Sequence, residues 1–388
     1  MSTRRKIFSL VAMALAAGLT LAVCEAAVRV FSIGPKIFAI RGYVRLSADP
    51  LLVFELVPGT RWEDVASPIR DDATISSAGL RDREYPEAKP ENTVRIAIVG
   101  DSVAFGWGVR QVDTLAKALE RLLAATRPGG STQYEVLNFG VSGFNSQQVT
   151  RRVETAVARF HPDLVVYVYC LNDPEDLDDE IRGPLEALEA AQRQSFESQV
   201  RHARSIFSGL RLYQLFMSTW DGLTGARDGG LRLASYGNTP DYYSRLHTDP
   251  HRWNRVTADF NRMGSAVRRL NARFIAVIVP FLWNRDSDER FRVEPPLSLV
   301  HAQVGQALGV AGAHTLDLAP AIARYSRATG GFVGVDEVHF NESGNRLAAV
   351  ALLDYLLKEA RLPGATAKGV QDLAIPDPEQ QRMAQSVR

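Results

Sequence analysis

Three short runs constrain the fold of this 388-residue chain more than any other feature: residues 94–99, 134–137 and Leu164–Tyr169. The first is apolar except for Arg95, rich in β-branched residues, and followed at once by Gly100; the third has almost no polar residue. Strands that are apolar on both sides are buried on both faces. Between them lie segments with helical spacing. Residues 114–126 place Leu115, Ala118, Leu119 and Leu122 on one face, and residues 146–160 do the same with Val149, Val153, Ala156, Val157 and Phe160. The rhythm resumes later with a helix at 251–271, a strand at 274–279, a helix at 300–308, a strand at 315–318 and a final helix at 342–357. Continuous strands alternating with amphipathic helices predict an α/β fold, a parallel sheet covered by helices on both faces.

The flanking segments read differently. Arg4, Arg5 and Lys6 precede an uncharged run over residues 7–23, 17 residues long, at the lower edge of what spans a bilayer. Residues 1–33 are expected to be a retained signal anchor or transmembrane helix, with the basic cluster cytoplasmic and the rest of the chain extracytoplasmic, on the periplasmic side in a two-membrane cell. A cleaved secretory signal and a lipoprotein signal ending at Cys24 are the competing readings. Residues 34–93 contain six prolines and no sustained helical period, and are expected to form a stalk and an extended arm packed on a main domain at 94–360. An insertion at about 174–250 interrupts the main domain with an acidic cluster (Glu175, Asp176, Asp178, Asp179, Glu180), read as a solvated face. Residues 361–388 are polar and Gln-rich, the composition of a disordered tail.

Composition excludes some functions. With 45 basic and 44 acidic residues the formal net charge is +1, which offers no field for capturing nucleic acid. Cys24 and Cys170 are not expected to pair, and no Cys/His spacing reads as a metal site.

Four short motifs carry chemistry, and each falls just after an expected strand or before the last helix. Gly100-Asp101-Ser102 puts a hydroxyl at a strand tip, where open α/β sheets place their ligands. Within Asn138-Phe139-Gly140-Val141-Ser142-Gly143 a glycine can offer a backbone N–H with no side chain in the way, and Asn172 offers a side-chain amide. Asp336 stands three residues before His339, a spacing that lets the carboxylate accept from the imidazole Nδ1–H. Taken singly, each has an ordinary reading as a helix cap or turn. Together they supply a nucleophile, a base, a group that orients the base, and oxyanion donors on one sheet edge. His161, His202, His247, His251, His301 and His314 have no partner spacing that suggests a site, and Trp107 and Trp283 are candidates to line a cleft.

In these motifs and their order the chain resembles the SGNH/GDSL hydrolase superfamily, and its N-terminus resembles membrane-anchored bacterial members. Gly100-Asp101-Ser102 looks like the nucleophile block, Gly143 like the oxyanion glycine, Asn172 like the oxyanion asparagine, and Asp336 and His339, followed by Asn341, like the acid–base block. The phrase Ser77-Ala78-Gly79-Leu80-Arg81 and the run from Ser102 to Gly108 resemble such members too. One departure is Cys170, where many members have glycine. The resemblance implies a three-layer α/β/α sandwich with a flavodoxin-like parallel sheet. It also implies a serine esterase with Ser102, His339 and Asp336 catalytic, and an oxyanion hole of Ser102, Gly143 and Asn172. No metal or organic cofactor is expected. The expected partners are a membrane and an acylated small-molecule, glycan or lipid substrate, most simply an acetylated envelope glycan. An O-acyltransferase with the same triad and a non-catalytic glycan-binding module are the alternatives.

Overall fold

The computed structural model describes residues 3–30, 43–64, 71–126, 131–175, 239–282, 291–359 and 362. The chain divides into two units, one of Met1–Arg41 with Asp179–Ala234 and one of Gly42–Asp178 with Ser235–Arg388. The described part of the first unit is a single helix, α1 (Thr3–Val30). Among the described residues no helix is long and apolar enough to cross a membrane, so the structure does not show the transmembrane helix expected at 1–33. The physical reason lies in the run itself: Arg4, Arg5 and Lys6 stand before residues 7–23 and Glu25 and Arg29 after, leaving fewer than the roughly 20 apolar residues a bilayer core asks for. Most of the expected insertion (176–238) and all of the expected tail except Leu362 lie outside the described residues.

The second unit is built on a five-stranded parallel sheet: β5 (Thr93–Gly100), β6 (Gln133–Asn138), β7 (Leu164–Tyr169), β8 (Arg273–Ile278) and β9 (His314–Asp317). The spatial order is β6-β5-β7-β8-β9. Every neighbouring pair is parallel. Numbered by first appearance within the sheet, this is the flavodoxin-like order 2-1-3-4-5, whose direction reverses between its first and third strands.

The reversal sorts the helices. Helix α2 (Ser102–Phe105) and α3 (Leu115–Ala125) connect β5 outward to β6; α4 (Ser146–Arg152) returns to β7. Next, α5 (Pro240–Thr248) and α6 (Pro250–Arg269) precede β8, α7 (Leu297–Val310) leads to β9, and α8 (Ala319–Thr329) and α9 (Glu342–Glu359) end the unit. Right-handed crossovers that change direction put α3 on one face and α4, α6 and α7 on the other. The packing agrees: α3 meets α9, while α4 meets α6 and α6 meets α7. Covered on both sides, all six residues of β7 are buried. Each fully buried Val or Leu there contributes about 1.5–3 kcal/mol.

Local sequence sets the helix ends. Thr114 accepts from the Lys117 N–H to cap α3. Asn145 and Gln148 form a reciprocal capping box on α4. Asp249 accepts from the His251 and Arg252 N–H groups ahead of Pro250, which opens α6. The helix expected at 146–160 does run to Phe160, but through a π turn at Val153–Val157 and a 3-10 turn at Ala158–Phe160.

Ahead of the sheet lie two antiparallel pairs, β1 (Val44–Leu46) with β2 (Phe54–Leu56), and β3 (Arg61–Asp64) with β4 (Asp71–Thr74). The segment of chain ahead of β5 is fastened to the main sheet's layers by side chains that sequence patterning places at the surface. Gln148 Nε2 donates to the Leu52 carbonyl at 3.0 Å. Buried Arg152 donates to Gly79 O at 2.6 Å and to Phe139 O at 3.2 Å. Arg95, the one charge in β5, is fully buried; its Nε donates to Glu135 at 2.6 Å and its Nη atoms donate to the carbonyls of Pro86, Glu87 and Phe160.

Candidate active site

Three adjacent strands end at one edge of the sheet, and each is followed by one of the motifs: β5 by Ser102, β6 by Gly143, β7 by Asn172. The strand ends are bonded to one another. Val141 N–H donates to Gly100 O at 3.1 Å, and Ser146 N–H donates to Asp173 O at 3.1 Å. This is the place where the strand order reverses, the crevice in which open α/β sheets bind ligands.

Ser102 opens the one-turn helix α2. Asp101 caps that turn, its carboxylate accepting from Val103 N–H at 2.9 Å. At the other end Gly106 closes it in the left-handed region, φ 83°. Gly140 permits the next loop to lie against this turn: a Cβ there would stand 2.2 Å from Phe105 N and 2.5 Å from the Ala104 carbonyl carbon.

The loop before α9 supplies the partner groups. Asp336 accepts from the backbone N–H groups of Val338 at 2.9 Å and His339 at 2.8 Å, which folds the chain back on itself. Asn341, from the last expected block, pins that loop: its Nδ2 donates to Phe332 O at 3.0 Å, and its Oδ1 accepts from Gly344 N–H at 2.9 Å at the start of α9. The result brings all three expected catalytic side chains into series. His339 Nε2 is 2.8 Å from Ser102 Oγ, and His339 Nδ1 is 2.9 Å from Asp336 Oδ2. Asp336 and His339 are buried, and the indole of Trp107 covers the imidazole, with ring centroids 4.4 Å apart and planes inclined by 51°.

Burial pushes the Asp336 carboxyl up, but the His339 side chain and the N–H donors of His339 and Val338 outweigh it, leaving Asp336 below its ordinary value. Such a carboxylate is ionised at neutral pH and fixes the imidazole with Nε2 facing the serine hydroxyl. Asp101 behaves oppositely: wholly buried, its carboxyl is raised by desolvation, against hydrogen bonds from Val103 N–H, Ser102 and the Asn172 side chain.

Gly143 and Asn172, the expected oxyanion donors beside Ser102, follow the two strands that flank β5. Gly143 takes a left-handed φ of 85°, which suits glycine. The Asn172 side chain hydrogen-bonds Asp101, and its Oδ1 is buried without a partner. An amide nitrogen carries two hydrogens, so one on Asp101 leaves a second for a ligand. Cys170, two residues earlier, is buried, and desolvation raises its thiol well above the ordinary value. Elsewhere the structure reveals a second imidazole–carboxylate contact that spacing did not announce, His301 Nδ1 to Asp317 at 2.9 Å. Its Nε2 is buried with no hydrogen-bond partner, so it activates no hydroxyl. No group of three or more His, Cys, Asp or Glu residues suited to a metal occurs among the described residues. Of the expected cleft aromatics, Trp107 is in place and Trp283 lies outside the described residues.

The profile of the GDSL-like Lipase/Acylhydrolase family matches residues 98–347, a span that runs from β5 into the last helix. The chain belongs to this family. As a GDSL-like acylhydrolase it is a hydrolase acting on ester bonds. Solved structures similar to it include an acetyl xylan esterase, AlAXEase, at 13% identity and TM-score 0.37, covering 68% of this chain and 100% of that one. They also include the psychrotrophic esterase EstA from Pseudoalteromonas sp., at 14% identity and TM-score 0.38, covering 70% and 100%. A lipase/acylhydrolase from Enterococcus faecalis is similar at 16% identity and TM-score 0.38, covering 71% and 100%. No curated protein matches the sequence.

Proposed function

We propose that this GDSL-like acylhydrolase is a serine esterase that removes acyl groups, of acetyl size, from an envelope or exported glycan or lipid through a covalent acyl-enzyme. The observation that carries the reading is the unbroken series from Ser102 Oγ through the His339 ring to Asp336, with contacts of 2.8 Å and 2.9 Å. Ser102 Oγ attacks the ester carbonyl carbon as His339 Nε2 takes its proton, and Asp336 holds the Nδ1–H of the resulting imidazolium. The carbonyl oxygen, now negative, accepts from the N–H groups of Ser102 and Gly143 and from the free hydrogen of the Asn172 amide. Collapse breaks the ester C–O bond, and the departing alkoxide receives the proton from His339. Water then repeats the sequence on the acyl-enzyme, releasing the acid and restoring Ser102.

The test is Ser102→Ala in the full chain, assayed with p-nitrophenyl acetate and a fluorophosphonate probe. The parent is expected to label and turn over, and the variant to do neither. Turnover by the variant at the parent rate sinks the mechanism, and failure of the folded parent to label favours the non-catalytic alternative. Acetylated oligosaccharides set against long-chain lipid esters then test the acyl size and the carrier.

The location is proposed on α1 and its sequence: attachment to a membrane, with the catalytic unit extracytoplasmic. Arg4, Arg5 and Lys6 precede the uncharged residues 7–23, and Phe8, Met13, Leu19, Leu21 and Val23 are exposed on α1. Release of the protein from membranes by alkaline carbonate, or protection of its catalytic unit from external protease in spheroplasts, overturns this placement.

A further inference from the structure

We infer that Arg81 is a positioning residue of the active site, acting through Trp107 to hold the His339 imidazole against Ser102; the inference rests on the triad reading above. Arg81 is fully buried and donates to the carbonyls that bracket Trp107. Nη1 donates to Phe105 O at 2.9 Å and to Gly106 O at 2.5 Å, and Nη2 donates to Val109 O at 2.7 Å. Nη2 also donates to the carbonyl of Asp72, at the β3–β4 pair. Its guanidinium carbon lies 4.6 Å over the Phe105 ring. The loop it grips is shaped to need such a grip. Gly106 and Gly108 are both left-handed at φ 83°, so two permissive residues flank Trp107 and would leave the indole free to swing. A Cβ on Gly106 would stand 2.4 Å from Thr114 Cγ2 and 3.3 Å from Arg81 Nη1, which shows how closely the loop is seated. The backbone of Trp107 is tied to the nucleophile, its N–H donating to Ser102 O at 3.0 Å, and its ring rests on His339. One rigid fork therefore fixes the backbone that carries the ring covering the imidazole. A planar guanidinium spans several carbonyls at once, whereas the compact ammonium of lysine, though equally charged, does not.

The test compares Arg81→Lys, Arg81→Gln, Trp107→Leu and the double variant Arg81→Lys/Trp107→Leu in the full chain, measuring kcat and KM on p-nitrophenyl acetate, fluorophosphonate labelling rate, and melting. Arg81→Lys is expected to lower kcat and the labelling rate about 10–100-fold, the scale of a small misplacement of reacting groups, with KM within about twofold. The double variant is expected to be no slower than the worse single variant, because both remove one device. The inference is overturned if Arg81→Lys melts lower but labels at the parent rate, or if the losses multiply in the double variant. It is equally overturned if neither Arg81 variant folds, since Arg81 would then serve the fold alone. If the folded parent itself fails to label, the triad reading falls first, so the two failures are distinguishable.

Discussion

Ser102 Oγ and His339 Nε2, 237 positions apart in the chain, lie 2.8 Å from each other. Proton transfer needs heavy atoms within about 2.6–3.2 Å, so the hydroxyl and the imidazole stand within that reach. The pairing depends on two anchors from separate stretches of the chain: the Asp101-capped turn α2 and the Asn341-pinned loop before α9. Several consequences can be measured.

Asp336→Asn keeps the shape of the loop but loses the charge opposite His339 Nδ1. The kcat is expected to fall by about 10²–10⁴, with KM close to the parent. Steady-state kinetics on p-nitrophenyl acetate check this; an unchanged kcat would remove Asp336 from the mechanism.

Gly140→Ala places a methyl group against the backbone of Phe105 and Ala104, which has no flexible side chain to yield. The variant is expected to lose about 1–3 kcal/mol of stability and to label more slowly, because the displaced backbone is that of the nucleophile's own turn. Urea unfolding and fluorophosphonate labelling rates read the two effects separately.

Arg95→Met removes a guanidinium that pairs Glu135 and satisfies carbonyls of Pro86, Glu87 and Phe160, and strands a mostly buried carboxylate. A loss of about 3–5 kcal/mol is expected in denaturant titration. Replacing both residues, Arg95→Met with Glu135→Leu, is expected to recover most of it.

The pH dependence of stability carries the mark of Asp173. Burial lifts its carboxyl well above the ordinary range, and the neighbouring Asp101 adds to the rise. A folded value above the unfolded one means that the folded protein holds this proton more tightly. The contribution is full below the unfolded value of about 4 and is lost as pH rises toward the folded value. Asp173→Asn cannot titrate, so its Tm is expected to decline less than the parent's between about pH 4 and neutrality. Parallel Tm curves from calorimetry would refute this.

What the residues announced, and what they hid, follows from the range of the forces involved. Strand β7 was legible to the residue, Leu164–Tyr169, because a strand buried on both faces is a continuous apolar run. The four motifs were legible because each sits at a strand tip or helix start, a position set by local pattern. Helix α8 was not: Pro320 looks like a break, though proline is at home in a first turn, and Ala319, Ile322 and Tyr325 do keep helical spacing. Helix α5 falls inside the expected insertion because its buried Tyr243 and Leu246 span a single turn, too short a stripe to stand out in sequence. The π turn at Val153–Val157 changes hydrogen-bond register without changing which residues are apolar, so periodicity does not show it. The buried arginines Arg81, Arg95 and Arg152 were hidden for another reason. Their partners are mostly backbone carbonyls from distant segments, and a carbonyl has no signature in sequence.

The order in which the chain is made gives the separation of Ser102 and His339 a further meaning. The last strand of the sheet ends at Asp317, yet the imidazole that would awaken the hydroxyl comes later in the chain. A chain cut short before Asp336 therefore carries every strand of the sheet and a dormant alcohol, but neither the imidazole nor the helix that closes over α3.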